Sequence, residues 1–136
     1  MFDGLIGHEH IKELWQKALK ESRVGHAYLL VGPDGVGKRA ASFMMAASLM
    51  GEKGSQGFEL AMEGKNADVL FIRAVKDTIK IEQIREASAF LRIAPVMSER
   101  KVVIIDDAHA MNLSAANSLL RILEEPPAAR HIFIIT

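Results

Sequence analysis

The sequence predicts an α/β fold, a parallel sheet with helices on both faces in three α/β/α layers, and three observations carry that prediction. Four short apolar runs alternate with segments of helical period, the order that lays helices over a parallel sheet through right-handed crossovers. A glycine-rich stretch of fixed spacing sits between the first apolar run and the most apolar helical segment. The 136 residues, 49% hydrophobic and 25% charged, suffice for one domain with its own core and exclude a disordered or collagen-like chain.

Taken in order, Ile11, Leu14, Trp15, Ala18 and Leu19 form an apolar stripe opposite Lys12, Glu13, Gln16, Lys17 and Glu21, which predicts an amphipathic helix between Ile6 and Ser22. Gly25 stops it. His26 to Val31 is a short apolar run bounded by glycines and reads as a strand buried on both faces. Lys38 to Met50 is apolar almost all round, which predicts a largely buried helix, and Met44, Met45, Met50 and Met62 read as core filler. Residues 51–67 show no sustained period and read as a loop or short irregular insertion. Asp68 to Ile72 is the second strand. Ile81, Ile84, Ala87, Phe90 and Leu91 set a helix that runs to Ile93 and ends before Pro95. Lys101 to Ile105 is the third strand, running directly into Asp106 and Asp107. Asn112 can cap the next helix, whose stripe is Leu113, Ala116, Leu119, Leu120 and Leu123, and Pro126 and Pro127 close it. His131 to Thr136 is the fourth apolar strand.

Seventeen basic residues balance seventeen acidic ones, so no global field draws the chain to nucleic acid or a membrane surface. Arg92, Arg100, Lys101, Arg121 and Arg130 cluster modestly late in the chain and read as solvated faces rather than a DNA surface. The absence of cysteine removes disulfides and thiolate zinc sites, which fits a reducing compartment, the cytoplasm by default. Met1 to Gly4 lacks the start of a signal peptide, and no apolar run is long enough for a membrane span.

Gly32-Pro33-Asp34-Gly35-Val36-Gly37-Lys38 satisfies G-x-x-x-x-G-K between a strand and a helix, where a phosphate loop has to lie. Its glycines allow consecutive backbone N–H groups to curl around phosphate oxygens, the helix N-terminus adds its positive end, and Lys38 neutralises β- and γ-phosphates. Gly32, Pro33, Gly35, Val36, Gly37, Lys38 and Arg39 are therefore the candidate nucleotide-binding residues. Position 39 breaks the magnesium-dependent pattern, which wants a Ser or Thr hydroxyl: Arg39 has five donors and no acceptor. Either Arg39 points to solvent while other groups hold the ion through water, or it partly replaces the cation's charge.

Four apolar residues followed by Asp106-Asp107 match a Walker B strand, in which the first carboxylate holds Mg²⁺, directly or through water, and the next acidic residue polarises the attacking water. Asp106 is thus the candidate metal ligand and Asp107 the candidate catalytic base. Asp107 is one methylene shorter than the usual glutamate, which sets its carboxylate back by on the order of 1 Å, a misplacement that can cost ~10²-fold in rate. His8 and His10 do not share a helix face, so they make no zinc site, and His109 reads as a surface residue or one standing behind the acidic pair.

Together, Ile6-Gly7-His8-Glu9, Arg23-x-x-His26-Ala27-Tyr28-Leu29, the loop Gly32 to Lys38, Lys80-Ile81-x-x-Ile84-Arg85, Arg100 to Ala108 and Ala115 to Pro127 resemble the bacterial clamp-loader AAA+ subunits, over nearly the whole chain and in the expected order. Asp-Asp-Ala in the acidic motif and a basic residue after the loop lysine are more similar to the delta-prime branch of DNA polymerase III subunits than to the ATP-hydrolysing gamma/tau branch. The resemblance implies a P-loop NTPase (AAA+) core binding ATP or ADP, with or without Mg²⁺, and hydrolysing it weakly or not at all. It implies as partners the other clamp-loader subunits of a hetero-oligomeric ring, a sliding clamp and primed DNA. Relatives of this kind commonly hold zinc through four cysteines after the first helix; residues 51–67 contain none, so no zinc is expected. A working ATPase using Asp106 and Asp107, and a purely structural fold, are the competing readings. The resemblance also implies that the fourth strand inserts between the first and third. Residues 1–136 then read as the N-terminal part of a nucleotide-binding domain, ending after the fourth core strand, with lid and collar domains absent and His26 to Val31 left as an open edge.

Overall fold

The computed structural model describes residues 9–33 and 37–136, with side chains of the first helix described from Lys12 onward. Ile6, Gly7 and His8, the side chains of Glu9, His10 and Ile11, and the loop residues Asp34, Gly35 and Val36 lie outside the described residues. The elements run α1 (Glu9–Lys20), β1 (Ala27–Leu30), α2 (Lys38–Met50), α3 (Gln56–Met62), β2 (Val69–Ile72), α4 (Ile81–Arg92), β3 (Lys101–Ile105), a 3₁₀ turn (Ala108–Ala110), α5 (Leu113–Glu124) and β4 (Arg130–Ile135).

The four strands form one parallel sheet in the order β1-β4-β3-β2. Period-2 alternation sorts β3 between two cores. Val102 and Ile104 face Trp15, Met44, Met45, Phe58 and Phe133 on the α1/α2/α3 side. Val103 and Ile105 face Ile84, Leu91, Ala115 and Leu119 on the α4/α5 side. All five β3 residues are buried, because this strand has a neighbour on each side and helices on each face. Trp15 seats α1 on the sheet edge-on against Tyr28 and Phe133 and donates Nε1–H to Ser48 Oγ at 3.0 Å.

Residues 51–67 contain a helix where a loop or irregular insertion was expected. Ser55 caps α3, its hydroxyl accepting from Phe58 N at 3.2 Å, and Phe58 and Ala61 are buried. A seven-residue helix with glycine inside it is too short to show a period. That glycine is required by packing, since a Cβ on Gly57 would lie 2.5 Å from the Met50 carbonyl oxygen where α3 crosses the end of α2.

Other expectations need correcting. β1 is not buried on both faces: Tyr28 and Leu30 pack inward, while Leu29 is 62% exposed because the apolar cover of α4 and α5 extends over β2, β3 and β4 but not over β1. On α5 the core-facing residues are Ala115 and Leu119, with Ile122 and Leu123 partly buried, whereas Leu113 and Leu120 of the expected stripe are exposed. Leu14 on α1 is exposed too, and Met62 does not fill the core as Met44, Met45 and Met50 do.

The amino ends of the strands carry buried polar and charged groups, among them Lys101, which the sequence reading placed in solvent. Asp68, fully buried, accepts from Val96 N (2.7 Å), Met97 N (2.8 Å), Ser98 N (2.9 Å) and Ser98 Oγ (3.0 Å), pinning the turn between α4 and β3. Burial pushes this carboxyl up, but those hydrogen bonds outweigh it and hold it below its ordinary value. Lys101 is buried, donating to Phe90 O at 2.8 Å with its ammonium 4.0 Å from the Phe90 ring centre. Burial lowers its affinity for the proton, Asp68 opposing and Arg130 reinforcing. Arg130 donates to the carbonyls of Leu91, Ala128 and Ile93. Buried His131 bridges Gly25 O (2.7 Å) and Arg100 Nη1 (2.8 Å). Burial pushes His131 down, against the Gly25 hydrogen bond and with help from Arg100 and His26. It is therefore neutral, with Nδ1–H donating to Gly25 and Nε2 accepting from Arg100.

Candidate functional site

The strand register sets where chemistry can gather. Leu30 pairs with Ile135, Ile134 with Ile105, and Ile105 with Ile72, so β1, β4, β3 and β2 end nearly level. One step beyond, Thr136 N donates to Leu30 O (3.1 Å) and Asp106 N to Ile72 O (2.8 Å), which carries both residues over the carboxyl edge of the sheet. In open α/β sheets this edge is where ligands bind.

A cleft of about 300 Å³ opens there, lined by Gly37, Lys38, Arg39, Ala40, Asp106, Asp107, His109, Ile135 and Thr136. Gly37 is left-handed (φ 87°, ψ 23°), a conformation that costs glycine little, and it turns the chain into α2. The first turn of α2 contains no acidic residue and begins with Lys38 and Arg39. Two cations at the positive end of a helix repel its dipole, an arrangement that an anion in the cleft relieves.

Lys38 Nζ donates to the carbonyl oxygens of Gly32 and of Thr136, the latter at 2.7 Å, and so ties the start of the glycine loop to the end of β4. Arg39, though about half exposed, turns toward the acidic pair. Its Nε donates to Asp106 Oδ2 at 2.7 Å, its terminal nitrogen lies 2.5 Å from the same oxygen, and its guanidinium carbon stands 5.8 Å from the Phe71 ring centre. Asp106 is buried, its other oxygen accepting from Asp107 N at 2.8 Å. Asp107 is half-buried and left-handed (φ 56°, ψ 41°), which Asp tolerates better than most residues. It heads the 3₁₀ turn that carries exposed His109 to the cleft.

The structure therefore brings Gly37, Lys38, Arg39, Asp106 and Asp107 to one cleft, with Gly32 tied to it through Lys38. Pro33 is exposed and does not line it, and Gly35 and Val36 lie outside the described residues. Sequence reading missed Thr136, whose carbonyl Lys38 holds, and Phe71 beneath Arg39. The signal for Thr136 was its position one step past an apolar strand, level with Asp106.

Magnesium, which phosphate loops commonly use, can be tested against these residues. A magnesium site of this type needs a hydroxyl after the loop lysine and a carboxylate with free lone pairs. Here that position is a guanidinium with no acceptor, it sits on one Asp106 oxygen, and the other oxygen, already accepting a backbone N–H, keeps a single free lone pair. The present donor set does not fit the ion. Among the described residues no group of three or more His, Cys, Asp or Glu side chains could hold a metal.

Comparison with known proteins identifies the family. A sequence model of the family described as DNA polymerase III, delta subunit, matches residues 7–136. DNA polymerase III subunit tau of Bacillus subtilis is 33% identical over 134 residues, covering 93% of this chain and 24% of that protein. Subunit delta' of Pseudomonas aeruginosa is also 33% identical, covering 90% of this chain and 40% of that protein. The chain thus spans less than half the length of either relative, and identity alone does not separate the two branches. Among solved structures, a DNA polymerase III gamma subunit-related protein of Thermotoga maritima superposes with a TM-score of 0.66 at 30% identity, over 94% of this chain and 38% of that one. The RuvB Holliday junction branch migration motor of the same organism reaches 0.58 at 19% identity, over 96% of this chain and 38% of that one, a likeness of fold. With the AAA+ P-loop architecture and a family match over nearly its full length, the chain belongs to the family of the DNA polymerase III delta subunit.

Proposed function

We propose that this chain is the nucleotide-binding AAA+ core of a delta-prime-like clamp-loader subunit, taking ATP or ADP at the cleft and hydrolysing ATP weakly or not at all. The observation that carries the reading is the meeting of Lys38, at the start of α2, with the chain just past the carboxyl ends of β1 and β4, beside Asp106 one step past β3. Two things speak for poor hydrolysis: Asp106 is committed to Arg39, and Asp107 has the shorter reach. The partners would be the other subunits of the loader ring, the sliding clamp and, through the assembly, primed DNA in the cytoplasm. No described helix is long and apolar enough to cross a membrane.

Nucleotide titration by calorimetry on the wild-type chain and Lys38→Ala tests the site. Loss of one charge-assisted hydrogen bond is worth about 1.5–3 kcal/mol, so affinity should fall by roughly 10- to 150-fold. The substitution also removes the tie between Gly32 and Thr136, so a melting curve accompanies the titration. Unchanged affinity would remove Lys38 from the site. Asp107 lines the same cleft, which supports a second reading as a working ATPase. Steady-state turnover that disappears in Asp107→Asn would establish that alternative.

A further inference from the structure

Arg39 stands in an unusual place for a basic residue. It directly follows the loop lysine, sits at the positive end of α2, and reaches a buried carboxylate one step past β3. Three contacts fix it: Nε and a terminal nitrogen on Asp106 Oδ2, and the Phe71 ring beside the guanidinium. Asp106 is fixed in turn by Asp107 N–H on its second oxygen. A divalent cation entering through Asp106 would have to displace a guanidinium from a carboxylate 5% exposed, and would find no hydroxyl on the other side.

The pair does not exhaust Arg39. Two of its five N–H groups meet Asp106, and among the described residues the other three have no protein acceptor; one ammonium N–H of Lys38 is likewise left over. Both side chains line the cleft, and the guanidinium side chain is 54% exposed to it and to solvent. A guanidinium held in this way presents a fixed positive charge and a planar fork of donors, the geometry that suits phosphate oxygens.

We propose that the Arg39–Asp106 ion pair is a built-in replacement for the divalent cation, so that this site takes nucleoside polyphosphates as the metal-free anion. The proposal rests on the nucleotide-binding reading above and adds which ionic form is bound. Asp106 acts as the positioning partner of the guanidinium, holding its remaining donors toward the cleft. The polyphosphate is met by Lys38, Arg39 and the N–H groups at the start of α2.

The test is calorimetric titration of ATP into the full chain, once with excess Mg²⁺ and once with excess EDTA, on wild type, Arg39→Thr and Arg39→Ser, each checked by thermal melting. Wild type should bind ATP with affinities within about 3-fold of each other in the two buffers. Arg39→Thr and Arg39→Ser supply the missing hydroxyl and free Asp106, so binding should become metal-dependent, at least about 10-fold weaker in EDTA. Wild-type binding that needs Mg²⁺ overturns the proposal and leaves the nucleotide site standing. Absence of ATP binding in both buffers overturns the nucleotide reading and the proposal together.

Discussion

Asp68→Asn should be among the more damaging single changes in this molecule, for reasons that can be worked from four contacts. The carboxylate is fully buried and accepts three backbone N–H groups and the Ser98 hydroxyl at 2.7–3.0 Å. An amide keeps one acceptor oxygen and replaces the other by a donor. If its oxygen takes the place of Oδ2, the amide nitrogen meets Val96 N–H, donor to donor; the reverse orientation leaves Met97, Ser98 N and Ser98 Oγ without their acceptor. The first orientation costs less. Orphaning one partly exposed N–H costs about 1 kcal/mol, and converting three charge-assisted bonds to neutral ones costs roughly 0.5–1 kcal/mol each. Lys101 loses its compensating anion as well, while the carboxylate's own desolvation cost disappears. A net loss of about 3 kcal/mol at neutral pH results, a large part of the ~5–15 kcal/mol that stabilises a typical domain. For this length it lowers the melting temperature by roughly 10 °C.

Urea and thermal unfolding followed through Trp15, the single tryptophan and a buried one, would measure it. The same titration has a pH signature. Asp68 is held below its ordinary 3.8, so its contribution is complete above that pH and is lost as pH falls through the lower folded-state value. The gap between wild type and variant should therefore close in strong acid. A difference under about 1 kcal/mol at pH 7, or a gap that stays constant into acid, would refute the reasoning.

Two further outcomes follow from the same kind of argument. His131 is held neutral below its ordinary 6.5, so the unfolded chain takes up the proton first and stability falls as pH drops below about 6.5 toward the folded value. His131→Gln should flatten that part of the stability profile, as measured by melting at stepwise pH. Gly57→Ala would put a methyl group 2.5 Å from the Met50 carbonyl, so α3 must shift off α2 at a cost of about 1–3 kcal/mol, visible as a lower urea midpoint; an unchanged midpoint would mean that the crossing is loose.

Much of the scaffold was legible in the sequence because its signals are local. Lys38 to Met50 is helical over the span its apolar residues define, and Lys101 to Ile105 forms the central strand its β-branched run suggests. The loop lysine and the acidic strand end were readable as residue types at fixed spacing. Their relation was not. Arg39 and Asp106 are 67 positions apart, and whether they touch depends on β4 and β3 ending level beside the start of α2. The core-facing side of α5 was misread for a similar reason: Leu113 and Leu120 fit a helical stripe, but which stripe is covered depends on how α4 lies against it. Lys101 looked like solvated charge because a sequence does not show a carbonyl and an aromatic face waiting above a strand.

The sheet keeps its ionised side chains at its two ends, with an uncharged middle. Along β4 the step from His131 to Thr136 is five residues, roughly 16 Å in a strand, which exceeds a Debye length of about 8 Å in physiological salt and the ~7–10 Å beyond which substitutions act independently. The domain is therefore modular along its strands. Its thermal tolerance can be rewritten at Asp68, Lys101 and His131 without retuning the anion chemistry at Lys38 and Arg39, and a lineage could drift at one end while selection holds the other.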